Sequence, residues 1–200
     1  MQKDILTDRS AESQDSTKDF LIIAAAKLFA KRGYYGTSIA DITEACRLTK
    51  SSYFHHFATK ELIGVAVVDY LTKYVSAHIF PPVYDTSLEK EERLKQLLKN
   101  IRNEIISQEK PLLGFLCIEL ISASEVFTNQ VQQYADLWIS QLAFAIKDFH
   151  GDPKKIAYHS LSYLQGCAIV ENIYQKPVLA DECCQHLFRL WTNSSDIKLA

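Results

Sequence analysis

TSIADITEACRLTKSSYFHHFATK, residues 37–60, is the stretch that decides the fold of this chain. Ser38 is followed three residues later by Asp41, the spacing of a capping box, in which each residue satisfies a backbone N–H at the start of a helix. The apolar face of this short helix is predicted to carry Ile39, Ile42 and Ala45. The stretch therefore opens with a capped helix of about two turns.

A second and a third cap follow within the same stretch. Residues 47–49 read as a turn, and Thr49 is placed to cap a short helix over residues 50–57. Thr59 then caps a longer helix that Pro81 and Pro82 stop. Two short helices joined by a tight turn and braced by longer helices are typical of a helix-turn-helix unit.

Helical periodicity continues on both sides of this unit. Thr17 is predicted to cap the first helix, which the glycines of residues 33–36 break. The long helix after Thr59 is predicted to bury the stripe Leu62, Ala66, Tyr70 and Tyr74. Later stripes are Leu94, Leu97, Leu98, Ile101 and Ile105; the nearly all-apolar residues 114–124; Val131, Tyr134, Trp138, Leu142, Ile146 and Phe149; and Cys184, Leu187, Phe188 and Trp191. The pattern predicts an all-α chain of about nine helices.

Composition sets the protein class. Of 200 residues, 48% are hydrophobic and 23% are charged, which excludes a disordered chain or a fibrous repeat. Residues 1–16 are too polar for a signal peptide, and the longest apolar stretches, such as residues 62–68, are too short to span a membrane. Five cysteines with no CxxC spacing predict a reduced, cytoplasmic protein without a disulfide scaffold or a bound metal.

The net charge of −2 hides an asymmetry along the chain. Residues 17–60 hold seven basic and three acidic side chains, whereas residues 79–200 hold 12 basic and 15 acidic ones. A basic segment followed by an acidic remainder is typical of a DNA-binding protein with a separate domain for another partner. We therefore predict a flexible arm over residues 1–16, a DNA-binding domain over 17–60 and a ligand-binding and dimerisation domain over 61–200.

Residues 17–62 resemble the DNA-binding domain of TetR/AcrR-family transcriptional regulators. The resemblance begins at Thr17-Lys18-Asp19 and runs through AAAKLFAKRGYYGTS. Its most specific part is the spaced set Thr37, Ile42, Ala45, Thr49-Lys50, Phe54-His55-His56-Phe57 and Lys60-Glu61-Leu62. The resemblance implies three helices for DNA, about six for ligand binding and dimerisation, and a homodimeric repressor that leaves its palindromic operator when a small-molecule inducer binds. It implies no cofactor, no enzymatic activity and no membrane partner.

DNA-contacting residues are predicted on the third helix and around its rim. A recognition helix presents its first side chains to base edges in the major groove, and lysine can donate to guanine O6 and N7. The predicted base readers are Lys50, Ser51, Ser52 and His55, although the resemblance also implies a phosphate contact for His55. The predicted phosphate contacts are Lys18, Thr37, Thr49, Tyr53, His56 and Lys60.

Three residues depart from the family pattern. Phe54 stands where tyrosine is common, so a phenol–phosphate contact is missing, for which Tyr53 or His55 is a candidate replacement. Phe54 and Phe57 are nevertheless expected in the core. Ser51 stands where glycine is frequent and adds a side chain close to the groove. Arg47 occupies a turn position where glycine is common; a positive φ there would cost about 1 kcal/mol.

The body is predicted to hold a ligand and the dimer interface. The tentative pocket comprises Phe115, Glu119, Tyr134, Trp138 and Tyr163; Glu119 stands out as a carboxylate in an apolar helix that needs a partner or a polar ligand. The resemblance places the dimer seam on two helices at about residues 153–175 and 179–193. The apolar stripes expected there are Leu161, Leu164, Ala168, Leu187, Phe188 and Trp191.

Alternatives to this interpretation stay open. Cys117 lies near Gly114 and is a candidate redox sensor, although reactivity requires a depressed thiol pKa. The His55-His56 pair would need further ligands to hold a metal. The chain contains no GxSxG, HExxH, P-loop or GxGxxG motif, which argues against the common enzyme classes. A helix-turn-helix protein that has lost its DNA affinity is the remaining possibility.

Overall fold

The computed structural model describes residues 14–107, 114–149, 151–174 and 178–193, with all their side chains except those of residues 14–16, 106, 107, 114, 115, 172 and 178. The described helices are α1 (Gln14–Arg32), α2 (Ile39–Ala45), α3 (Lys50–His56), α4 (Lys60–His78), α5 (Lys90–Ser107), α6 (Gly114–Ala123), α7 (Thr128–Ile146), α8 (Pro153–Tyr174) and α9 (Val178–Thr192), with one-turn 3-10 helices at Pro81–Tyr84 and Glu125–Phe127. These ranges contain no strand, so the prediction of an all-α chain is confirmed.

We call helices α1 to α3 and the turns that join them the head. Side-chain caps set the starts of α2, α3 and α4, as predicted. Ser38 accepts from the Asp41 N–H while the Asp41 carboxylate accepts from the Ser38 N–H, which completes the capping box of α2. Thr49 accepts from the Ser52 N–H at the start of α3. Thr59 caps α4 in the same way. The cap predicted at Thr17 is wrong, because α1 already begins at Gln14; most of the predicted arm lies outside the described residues.

The buried face of the short helix α2 differs by one residue from the prediction. Ile42 is fully buried and Ile39 half-buried, but Ala45 is exposed. Cys46, the C-cap residue, is buried in its place. The helix ends at Ala45, so the chain turns inwards at that point and Cys46 reaches the core.

Helix α4 is rotated relative to its predicted apolar face. The stripe Ile63, Val67, Leu71 and Val75 is fully buried, whereas the predicted stripe has Leu62 exposed and Ala66, Tyr70 and Tyr74 only half-buried. Helix α4 packs against α1 on the head side and against α7 on the body side. Two partners require a wide apolar surface, which a single stripe at helical spacing does not describe.

Helices α5 to α9 form the body, and most of their predicted stripes are buried. All five apolar positions of α5 face the core, as do those of α7 apart from the half-buried Phe149. Helix α6 is less buried than predicted: Ile118 is 64% exposed and Ile121 is 46% exposed, while Leu116 and Leu120 face inwards. The apolar composition of α6 therefore exceeds what its own protomer covers.

The predicted dimer stripe belongs to the protomer core. Leu164, Leu187, Phe188 and Trp191 are each at most 1% exposed within a single chain. Trp191 Nε1 donates to Ser160 Oγ at 2.7 Å, which joins α9 to α8 internally. Leu161 and Ala168 are half-buried against the same core. The dimer interface predicted for these four buried residues is wrong, because α8 and α9 use these faces against each other and against α5 and α7, whereas the half-buried Leu161 and Ala168 stay predictions for the interface.

None of the helices in the described ranges is long and apolar enough to cross a membrane.

Candidate nucleic-acid interface

The recognition helix α3 presents a polar surface. Lys50, Ser51 and His55 are exposed, and Ser52 is half-buried beside the cap that Thr49 provides. These are the four residues predicted to read bases. The first turn of α3 is therefore exposed at the protein surface.

The burial of Tyr53 and Phe54 is the reverse of what the sequence predicted. Tyr53 is fully buried, and its hydroxyl donates to the Thr59 carbonyl at 3.0 Å, so the predicted phosphate contact from Tyr53 is wrong. Phe54, predicted as core, is 51% exposed, whereas Phe57 is buried as expected. The Tyr53 hydroxyl fixes α3 to the first residues of α4. Phe54 lies edge-on to that ring on the outer surface.

The turn between α2 and α3 requires a left-handed residue. Arg47 has φ of +53°, a conformation that glycine adopts without strain and that costs other residues about 1 kcal/mol. The turn is closed by the Leu48 N–H, which donates to the Thr43 carbonyl at 2.8 Å. The conditional prediction of strain at Arg47 is therefore confirmed, and its exposed guanidinium adds positive charge at the rim.

Three of the predicted phosphate contacts remain at the surface. Lys18 is exposed, with its ammonium 5.9 Å from the centre of the Phe57 ring, and Thr49 is exposed although its hydroxyl already caps α3. His56 is half-buried; burial, His55 and Lys18 lower the pKa of its imidazole, which favours the neutral ring at pH 7. A neutral His56 contacts a phosphate only through its single ring N–H.

Thr37 is not available as a side-chain contact. It is 1% exposed, and its hydroxyl donates to the Gly33 carbonyl at 2.9 Å. The prediction of a phosphate contact from this hydroxyl is wrong, because the hydroxyl closes the turn after α1 instead. Tyr35 is 61% exposed in that turn and is a candidate contact. Its only signal is an aromatic residue beside the helix break.

Tyr34 joins the head to the body. Its ring is buried and makes edge-on contacts with Phe29 of α1 and Phe127, each with centroids 5.3 Å apart. Its backbone N–H donates to Glu119 Oε2 of α6 at 2.6 Å. Glu119 therefore has a partner, which is the head backbone, and its place in a ligand pocket stays a prediction.

Two glycines allow this close approach. Gly33 has φ of +75°, and a methyl group built on it would lie 2.6 Å from the Glu119 carboxylate oxygens. A methyl group on Gly64 of α4 would lie 2.6 Å from the Phe127 ring. The junction is thus packed too tightly for a side chain on either glycine.

Lys60 also binds to the junction. Its ammonium donates to the Tyr34 carbonyl at 2.5 Å and lies 4.1 Å from the centre of the Tyr34 ring. Burial lowers the pKa of Lys60, with Glu61 and Glu119 partly offsetting the effect. A phosphate contact from Lys60 stays a prediction, and it requires this hydrogen bond to break.

Two of the predicted pocket residues lie in the interior of the body. Tyr134 and Trp138 of α7 are at most 1% exposed, and burial raises the pKa of Tyr134. Trp138 Nε1 lacks a well-aligned acceptor in the described part of the chain. It nevertheless lies close to the Tyr134 hydroxyl, and this proximity partly offsets the rise in the pKa of Tyr134. Gln130 Oε1 of α7 and Gln165 Oε1 of α8 are also buried without a hydrogen-bond partner there.

The other predicted pocket residues are not part of this interior. Tyr163 is 39% exposed and packs against His186 of α9, with ring centroids 4.9 Å apart, so its assignment to the pocket stays a prediction. The side chain of Phe115 lies outside the described residues. Sequence reasoning missed Gln130 and Gln165, because a glutamine on a helix is usually solvated and its burial depends on the packing of α7 against α8.

Cys117 has the properties of a structural thiol. It is half-buried in α6, and burial raises its pKa to about 12. A redox sensor requires the opposite shift, because the thiolate is the reactive species. The geometry therefore gives no support to the redox hypothesis for Cys117.

Comparisons with known proteins agree with this architecture. Residues 21–66 match the family model described as bacterial regulatory proteins, tetR family. The repressor DhaR of Mycobacterium sp. (strain GP1) is 26% identical over 122 residues, which cover 61% of this chain and 61% of DhaR.

Solved structures share the fold. A TetR transcriptional regulator from Legionella pneumophila superposes with a TM-score of 0.80 at 22% identity, covering 90% of this chain and 98% of its own. The reduced form of NemR from Escherichia coli superposes with a TM-score of 0.77 at 19% identity, covering 86% of this chain and 95% of NemR. The capped helix-turn-helix and the helix order of the described residues agree with this match, and the N-terminal domain over residues 21–66 is that of the TetR/AcrR family of transcriptional regulators.

Proposed function

We propose that this protein is a homodimeric repressor that binds an inverted-repeat operator and leaves it when a small molecule binds in the body. The observation that carries the proposal is the exposed polar start of α3, where Lys50, Ser51 and His55 project from a helix held by the buried Tyr53. Side chains in this position of a helix-turn-helix unit reach base edges in the major groove. Lys18 and Arg47 add positive charge at the rim for phosphates.

Selection from a randomised duplex pool with the purified protein tests the proposal. Recovery of an inverted repeat supports a sequence-specific dimer, because the two half-sites mirror the two-fold symmetry of the protein. Affinity for the recovered duplex should fall steeply with salt as phosphate contacts are lost. Recovery of unrelated sequences, with weak binding after removal of any bound small molecule, contradicts the proposal.

Lys50→Ala tests the base-reading assignment. We expect specific binding to weaken by about 1–3 kcal/mol, because a lysine that donates to guanine O6 and N7 discriminates by that amount. Competition between the selected duplex and variants of one base pair measures the effect. Lys154→Ala, an exposed lysine of α8, is the matched control and should leave DNA binding unchanged. Equal selectivity of Lys50→Ala and the parent protein would remove Lys50 from the base readers.

The outer face of α8 is the proposed dimer surface, in place of the buried stripe predicted from sequence. The exposed side chains along this face include Tyr158, Val170, Ile173 and Tyr174. Ser162 and Gly166 lie between them, and a methyl group built on Gly166 would meet no atom within 4 Å. Small residues in the centre of an apolar helix face allow a second helix to approach closely.

Gly166→Arg tests this surface. We expect the monomer to predominate in analytical ultracentrifugation, because a long charged side chain would lie in the centre of the seam. Gly166→Ala is the control, which keeps the centre small and improves helix propensity by up to about 1 kcal/mol. A fully dimeric Gly166→Arg protein would show that the seam lies elsewhere.

We place the proposed inducer site in the body beside α7 and α8, which pack together and each carry one glutamine carbonyl oxygen, of Gln130 and of Gln165, that is buried without a partner in the described residues. A buried unpaired polar atom is costly, and a polar ligand or water can satisfy it. A ligand that separates these helices would displace α6 and Phe127, which contact the head at Tyr34 and Gly64. The inducer must then bind the DNA-free conformation several kcal/mol more tightly to empty the operator.

A further inference from the structure

A cavity lies in the body near the C-terminal end of α7. It has a volume of about 280 Å³ and opens between the first turn of α5, the last residues of α7 and the one-turn helix Pro81–Tyr84. Phe144 in this cavity is fourteen residues along α7 from Gln130, which is about 21 Å at the rise of an α-helix. The cavity is therefore separate from the proposed inducer site and from the DNA interface.

The size and the walls of this distal cavity suit a small ring system. An engineered cavity of about 150 Å³ is large enough to bind benzene, so about 280 Å³ admits a substituted ring or two fused rings. Val83, Leu94 and Phe149 contribute apolar surface to its lining. Burial of a ring against this surface supplies the hydrophobic part of the binding free energy.

Two aromatic rings form one wall of the cavity. Tyr84 and Phe144 are stacked, with centroids 5.2 Å apart and an interplanar angle of 25°. The Tyr84 hydroxyl donates to Gln141 Oε1 at 2.6 Å, which holds its ring in place. Both rings are exposed, so an aromatic ligand would cover apolar surface that the protomer leaves in water.

Cationic side chains line the same cavity in excess over anionic ones. Lys90, Arg93 and Lys147 line it against a single carboxylate, Asp148. Lys90 pairs with Asp148 at 3.1 Å. Lys147 lies over the Phe144 ring, with its ammonium 3.9 Å from the ring centre. The carboxylate of Asp148 therefore compensates one of the three cations.

Arg93 is fixed at the cavity by its own backbone contact. Its Nε donates to the Leu88 carbonyl at 2.9 Å, which orients the guanidinium plane. Asp85 lies near enough for Arg93 to contribute to the lowered pKa of that carboxyl, although hydrogen bonds from Ser87 are the main cause. A guanidinium held in this way is suited to a planar carboxylate, which it binds through two parallel hydrogen bonds.

We propose that the distal cavity binds a small aromatic carboxylate. The ring packs against Tyr84 and the edge of Phe144, whose faces are covered by Tyr84 and Lys147, and the carboxylate is held by Arg93 and Lys147. A neutral aromatic molecule would fill the apolar part but leave these cations without an anion. Inorganic phosphate would pair with the cations but leave the rings in water. The carboxylate on an aromatic ring matches both halves of the lining.

Calorimetric titration of the full-length protein with naphthalene-2-carboxylate tests the proposal without DNA. We expect the carboxylate to bind at least tenfold more tightly than naphthalene-2-carboxamide, because the amide keeps the ring but loses the charge. Binding of the carboxylate should also weaken as salt is raised. Equal affinity for the two compounds, or no binding at millimolar concentration, overturns the proposal.

Two variants locate the bound carboxylate. Lys147→Gln removes one exposed cation and should weaken carboxylate binding about fivefold to tenfold, with little change for the carboxamide. Lys154→Gln makes the same charge change outside the cavity and should have no effect. Ala145→Leu fills the cavity and should weaken binding of both compounds. Unchanged carboxylate affinity in Lys147→Gln and Ala145→Leu would place the ligand elsewhere and contradict the proposal.

Discussion

The head of this protein and its body differ in which residues determine their helices: neighbours in sequence in the head, and distant packing partners in the body. In the head, neighbours in sequence fix the helix ends: Ser38 with Asp41 caps α2, and Thr49 caps α3. In the body, the buried face of each helix depends on partners far along the chain, as for α8 and α9, which pack on α5 and α7. Local rules therefore describe the head well, whereas the faces of body helices follow from packing.

Trp191→Ala is the variant with the largest expected effect on this contrast. Trp191 is fully buried, and its indole donates to Ser160 Oγ at 2.7 Å. We expect the free energy of unfolding to fall by about 3–5 kcal/mol, the range for removing a large aromatic side chain from a core. Denaturation at two protein concentrations measures the loss.

The same measurement separates a core role from an interface role. If Trp191 belongs to the protomer core, the loss should have the same size at both protein concentrations. Leu190→Ala is the matched control on the next, exposed position of α9 and should change protomer stability by less than about 1 kcal/mol. A Trp191→Ala protein that keeps the stability of the protomer but no longer dimerises would show that the apolar stripe of Trp191 forms the dimer interface.

Gly33→Ala tests the junction where head and body meet. Two costs add: about 1 kcal/mol for alanine at φ of +75°, and about 1–2 kcal/mol for displacing Glu119 from the Tyr34 N–H. We expect a loss of about 2–3 kcal/mol in chemical denaturation.

Glu119→Gln is the control, because it leaves Gly33 in place and keeps an acceptor for the Tyr34 N–H. The amide keeps a carbonyl oxygen for the Tyr34 N–H, so the loss should stay below about 1 kcal/mol. DNA affinity should fall in Gly33→Ala as well, since the turn positions α2 and α3. Wild-type stability of Gly33→Ala would show that head and body are not joined through this contact.

Much of the head was predictable because its signals are short-ranged. The Ser38 capping box, the Thr49 and Thr59 caps and the break after α1 each involve residues at most four apart in sequence. The order of the body helices was equally accessible, since Pro153 after Asp152 gives the start of α8. These features depend on backbone geometry that the local sequence controls.

The rest depended on tertiary contacts. Tyr53 and Phe54 are adjacent aromatic residues, and it is Tyr53 that packs in the core and donates to the Thr59 carbonyl. The role of Glu119 could not be inferred, because its partner is a backbone N–H 85 residues away. The Gln130 Oε1 atom of α7 is buried without a partner in the described residues, whereas glutamine as a residue type is usually exposed. For such residues the sequence is compatible with several environments.

Arg47→Gly is expected to have the smallest effect, and it tests the local rule in the head alone. Arg47 has φ of +53° at an exposed turn, so glycine would remove strain without removing a buried contact. We expect a gain of about 1 kcal/mol in the free energy of unfolding, reduced by the greater freedom of glycine in the unfolded chain. Nonspecific DNA affinity should fall at the same time if the guanidinium contacts phosphate, with a smaller salt dependence.

Arg47→Lys is the control, because it keeps the charge and the strained backbone and should leave stability unchanged. A loss of stability in Arg47→Gly would mean that contacts of this side chain outweigh the strain, and the separation between a locally determined head and a packing-determined body would not hold at this turn.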